Sequence, residues 1–264
     1  MRAAEPEPDD DRPWLTPRVA FVLVVVGVLL VRMLVPFGRE LLYPLTLFAT
    51  WVHEMGHGLT GLAVGGTFES LEIYGNASGL ARGAVSGGWP IALRAIGGLL
   101  APPLVGAAIL AFARGPRRAS IVLWVLAAAM AISVPIWVRS LTGFVVVPLL
   151  ALAFGALAYK GSDAWRHLGA QLIGVTLGLD TISGLDYLFT SEVHVGGQDL
   201  PSDVAHVAAA LGGHYLLWGA LTLLASLALV AGGVALAWSR PLRFPWRRRT
   251  PEATPRTTEP RKTR

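Results

Sequence analysis

His53-Glu54-Met55-Gly56-His57 is the part of this chain whose residue types and spacing can do chemistry. On a helix, side chains four residues apart share a face, so the two imidazoles can hold one divalent ion between them. The carboxylate beside the first imidazole is then placed to take a proton from a water activated by that ion. The set lies in the apolar stretch Leu45 to Val64. At membrane depth, ionisable side chains are expensive and are usually kept for a function. The competing reading is polar glue, with His53 and His57 hydrogen-bonded to neighbouring helices. Packing three ionisable groups into one turn without a metal disfavours it. The chemistry indicated is metal-assisted hydrolysis, with Glu54 as general base. Gly56, Gly58 and Gly61 add a helix face that another backbone can approach closely.

Two histidines leave a tetrahedral zinc one protein ligand short, with a fourth place for water. The chain has no cysteine, so the third ligand must be His, Asp or Glu, and disulfides and thiolate sites are excluded. It should come from another helix at similar depth. Asp180 and Asp186 both stand toward the end of an apolar segment, where an unpaired carboxylate is costly. Asp180 is the first candidate and Asp186 the alternative. Ser162-Asp163 and Ser202-Asp203 each open a helical segment and read as N-caps. Glu69 and Glu72 read as solvent-facing. His167 and His214 start apolar segments, and His194 and His206 lie in or near an acidic loop; none has a partner at ligand spacing.

The elements that must position this site are apolar. Of 264 residues, 53% are hydrophobic and 15% charged, and the mean hydropathy is +0.55. Soluble domains carry about 25% charged residues, so this is a membrane composition. Apolar segments run over 19–36, 44–64, 91–113, 120–138, 143–159, 167–189 and 213–238. A span needs roughly 20 apolar residues, which makes the first and fifth marginal and gives six or seven transmembrane helices. The expected fold is an all-α polytopic membrane protein with a short β-hairpin after the metal-binding helix. That hairpin is read in residues 65–90, from partial alternation on both sides of Gly75-Asn76-Ala77-Ser78-Gly79. Its edge offers a place where an extended substrate can pair; a structural cap over the site is the other reading.

The expected domains are a polar, disordered N-terminal segment over 1–18, a transmembrane unit over 19–239, and a basic, disordered tail over 240–264. The first apolar segment follows acidic residues and lacks a clean cleavage site, which favours an uncleaved anchor over a signal peptide. Arg114, Arg117 and Arg118 fill one short loop, and Arg240, Arg243 and Arg247 to Arg249 follow the last segment. The positive-inside tendency puts both in the cytoplasm, with residues 190–212 outside. The net charge of +5 comes largely from these clusters; beside a membrane they set topology and touch anionic lipid rather than nucleic acid. Arginine far outnumbers lysine, and alanine and glycine are plentiful, a composition suggestive of a GC-rich bacterium and so of a bacterial inner membrane.

These residues resemble the site-2 protease type of intramembrane zinc metallopeptidase, and more narrowly a compact bacterial branch without a PDZ domain. The resemblance rests on His53-Glu54-x-Gly56-His57, then Gly65-Gly66 and a hairpin, then Gly97-Gly98 with Ala101-Pro102-Pro103. It continues through the aspartate segment at Asp180 and Ser202-Asp203-Val204 ahead of a final span containing Trp218. It implies His53 and His57 as Zn2+ ligands, Glu54 as general base, Asp180 as the completing ligand, and a membrane protein as substrate. Many members carry that late aspartate in an Asn-Pro-Asp-Gly-like stretch; here it is Leu179-Asp180-Thr181.

Two other functions use the same residues. A transporter or ion relay also places His and Asp at depth, but it has no need of a carboxylate directly after the first histidine. A catalytically silent scaffold has no need of the intact motif.

Overall fold

The computed structural model describes residues 17–239. Residues 1–16 and 240–264, which hold nearly all of the N-terminal segment and the whole basic tail, lie outside the described residues.

Every apolar segment of the sequence forms a helix. In chain order these are α1 (Pro17–Leu34), α2 (Gly38–Ala63), α3 (Gly88–Phe112), α4 (Pro116–Ile136), α5 (Leu141–Lys160), α6 (Asp163–Ser183) and α9 (Tyr215–Trp238), with the short α7 (Leu185–Leu188) and α8 (Asp203–Leu211) between the last two. Among the described residues, α3, α4, α5 and α9 are long and apolar enough to cross a membrane. The count of six or seven spans is thus met by four on length and hydropathy. The helices α2 and α6 carry the polar groups of the site and its surroundings, which lowers their hydropathy.

The bundle is apolar outside as well as inside. Leu149 and Leu152 of α5, Trp124 and Val125 of α4, and Leu224 and Leu236 of α9 are exposed, as lipid-facing surfaces must be. Inside, Leu47, Phe48 and Trp51 of α2 pack with Leu123 and Met130 of α4, Val147 and Phe154 of α5, and Ile173 and Leu177 of α6. Because lipid is as apolar as leucine, helix contacts here depend on close fit and on buried polar links. One such link runs from the Trp51 indole to Ser133 Oγ at 3.0 Å. The glycine face of α2 makes another contact: a Cβ on Gly56 would stand 2.5 Å from the Gly97 carbonyl of α3.

The hairpin expected after α2 is present as β1 (Ser70–Ile73) and β2 (Gly79–Arg82), antiparallel with Leu71 opposite Ala81. Its outer β1 edge is covered, since Leu71 exchanges backbone hydrogen bonds with Trp137 and Arg139 of the α4–α5 connection. Ser140 caps α5 and also accepts from the Ile73 N–H at 2.8 Å, tying hairpin to helix. A second antiparallel hairpin, β3 (Glu192–Val195) and β4 (Gln198–Pro201), occupies the stretch the sequence shows only as an acidic connection. Its turn residues Gly196 and Gly197 have φ of 58° and 83°, the left-handed pair that a two-residue hairpin loop requires. The two hairpins touch: Gly196 lies against the Tyr74 ring, where a Cβ would come within 2.7 Å.

Candidate metal centre

The helical repeat of α2 puts His53 and His57 on one face, and their Nε2 atoms approach to 2.9 Å. Facing both is Asp203 Oδ2, at 3.1 Å from His53 Nε2 and 3.2 Å from His57 Nε2. These three residues form the cluster of potential metal-ligating side chains among the described residues. Glu54 is buried beside them, 5% exposed.

The third member therefore differs from the expectation. Asp180 and Asp186 are outside this cluster, although both line a neighbouring cavity of about 620 Å³ that reaches His53 and Glu54. The reason is the course of the chain after α6. The residue of α7 that turns to the histidines is Tyr187, while Asp186 is exposed. Asp203 enters from the first turn of α8. The expected N-cap at Ser202 is correct, its hydroxyl accepting from the Ala205 N–H at 3.3 Å, and it is this cap that delivers the next side chain to the site. The capping signature accounts for Ser202 and gives no sign of where Asp203 points. No spacing within the sequence could reveal a partner 150 residues away.

The residues present fit a metal. His57 Nδ1 lies 2.9 Å from the Arg94 carbonyl oxygen, an acceptor only, so this nitrogen carries the proton and Nε2 presents its lone pair to the cluster. Three ligand atoms spaced 2.9 to 3.2 Å apart approach the edge of a tetrahedron with ligands at about 2.05 Å, which is about 3.3 Å. A divalent cation would satisfy lone pairs of an imidazole and a carboxylate directed at one point. Gly98 makes the geometry possible, because a Cβ there would lie 2.1 Å from His57 Cε1.

Arg94 also binds the site to the first hairpin. Its guanidinium donates to the carbonyls of Ala81, at 2.6 Å, and Gly83, at 3.0 Å, on the β2 edge. That edge faces a cavity of about 460 Å³ whose floor is His53, Glu54 and His57 and whose far wall is Val193 and Leu200 of the second hairpin. Gly79, on the same edge, packs on the Glu54 carboxylate. Away from the His53–His57–Asp203 cluster, Glu72 accepts from Arg82 Nε and from the Tyr74 hydroxyl. The Arg82 hydrogen bond holds the Glu72 carboxyl below the usual carboxylate range, and the bond to Glu72 pushes the Tyr74 phenol up. Glu72 is therefore an organising group of the hairpin rather than a merely solvated one.

A helical membrane protein that completes a His-Glu-x-x-His turn with an aspartate from a distant helix has the architecture of a membrane-embedded metallopeptidase. The Peptidase M50B-like family model matches residues 19–233, and the chain belongs to that family. No curated protein and no solved structure matches it.

Proposed function

We propose that the protein is a zinc-dependent endopeptidase that hydrolyses a peptide bond of a membrane-embedded or membrane-proximal protein. The observation that carries this reading is the convergence of His53 Nε2, His57 Nε2 and Asp203 Oδ2 with Glu54 buried alongside. In it His53, His57 and Asp203 are the metal ligands and Glu54 is the general base. A divalent ion held by these three residues would supply Lewis-acid chemistry toward a water and a carbonyl. Glu54 accepts the proton released and returns it to the leaving amine. Gly79 and the β2 edge wall the carboxylate off from open solvent on one side.

A transmembrane helix hides its carbonyls in internal hydrogen bonds, so the substrate reaches Glu54 only as unwound chain. The cavity between β2 and the second hairpin suits an extended segment. Pairing of that segment with the β2 edge has to share Ala81 and Gly83 with Arg94, which already occupies their carbonyls. The helices α1, α2 and α6 complete seven passes in this reading. Both hairpins and the α4–α5 connection meet at one end of the bundle, as alternate connections of a seven-pass chain would. The arginines at 114, 117 and 118 then mark the cytoplasmic end and place the C-terminus there, in a bacterial inner membrane. An ion relay leaves the burial of Glu54 beside the ligands without a use.

The test is metal analysis of the purified full chain in detergent, with cleavage of fluorescein-labelled casein and of a single-span peptide in vesicles. Wild type should hold zinc through dialysis and cleave in a chelator-sensitive way, and His57→Ala should lose both. Equal metal content in the two proteins would remove the reading.

A further inference from the structure

We infer that Tyr187 is a positioning residue for the metal centre, fixing the Asp203 carboxylate as a ligand; the inference rests on the proposed metal site. Its hydroxyl donates to Asp203 Oδ2 at 2.5 Å. That oxygen is the one directed at both imidazoles. A carboxylate oxygen has two lone pairs, so one can be committed to the phenol while the other faces the histidines. The Tyr187 ring also stands edge-on to His53, with centroids 6.0 Å apart. One side chain thus braces two of the three ligands.

The backbone reinforces the arrangement. Asp203 is the first residue of a short helix and would be loosely held by that helix alone. Ser202 prevents this, because its hydroxyl donates to the Thr190 carbonyl at 2.6 Å and its N–H donates to the Ser191 carbonyl at 2.9 Å. The end of α7 and the start of α8 are therefore clamped together, and Tyr187 and Asp203 keep their relation as one unit. Leu188 and Val204 pack together with Leu99 of α3 beneath them. A tyrosine serves here better than an aspartate because it reaches the ligand from the side and adds no further negative charge to a site already holding Glu54 and Asp203.

The experiment measures zinc affinity of the full chain in detergent, by competition with a chromophoric chelator, for wild type, Tyr187→Phe, Asp203→Ala and the double variant. Phenylalanine keeps the ring against His53 and removes only the hydroxyl. Loss of such an outer partner weakens metal binding about 10- to 100-fold, and this is expected for Tyr187→Phe. In the Asp203→Ala background the same substitution should change nothing, since the acceptor is gone. Unchanged affinity in Tyr187→Phe overturns the inference, and so does an equal loss in both backgrounds, which would signal a general structural effect. If wild type binds zinc no better than His57→Ala, the metal site itself fails, an outcome distinct from either of these.

Discussion

Gly98 of α3 lies directly against the His57 imidazole of α2, so close that a single methyl group would fall 2.1 Å from Cε1. The position of the ring is thus set by an empty place on the neighbouring helix. Gly98→Ala should push the imidazole off the Arg94 carbonyl and lower zinc affinity. Overpacking of this kind destabilises by about 1–3 kcal/mol. Thermal melting together with zinc content checks it; a variant with wild-type values for both would mean that the ring has room to move.

Zinc content across single substitutions should divide the acids. His53→Ala and His57→Ala are expected to lose the ion and Asp203→Ala to bind it measurably but more weakly, while Asp180→Ala and Asp186→Ala keep wild-type content, since neither belongs to the His53–His57–Asp203 cluster. Loss in Asp180→Ala with full retention in Asp203→Ala would return the third ligand to α6.

Glu54→Gln keeps the shape of the buried side chain and removes its capacity to take a proton. Zinc content and membrane insertion should be unchanged, and turnover of a vesicle-borne peptide should fall about 10²- to 10⁴-fold. Full activity in this variant would show that another group is the base.

The first hairpin should weaken in acid. Its Glu72 carboxyl is held below the usual value near 4.5 by Arg82. A depressed folded-state pKa gives stability that is present above the unfolded value and lost as pH falls through the folded one. The contribution of this partly exposed pair is under about 1 kcal/mol. Wild type should therefore melt slightly above Glu72→Gln at pH 7, and the gap should narrow as pH falls below the ordinary glutamate value of about 4.3 and through the lower folded one. A gap that persists in acid would assign the effect to packing.

Much of this architecture was legible in the chain. Hydropathy located each long helix, and the turn residues at 75–79 located the first hairpin, because both signals are local. His53, Glu54 and His57 were legible for the same reason, lying within one helical turn. Asp203 was not, since its role arises from the packing of α8 on α3 and its sequence neighbour Ser202 already accounted for the polar pair as a cap. The second hairpin was hidden for another reason. Only β3 alternates valine with exposed polar residues, over four positions, and β4 (Gln198–Pro201) shows no such alternation, too brief a pattern to separate from an acidic loop.

Arg94 holds the β2 edge with its guanidinium and supports His57 with its own carbonyl. The strand that lines the cavity and the imidazole at its floor are therefore joined through a single amino acid. The first hairpin and the His57 ring thus share one anchor on α3, so neither can be repositioned without involving Arg94.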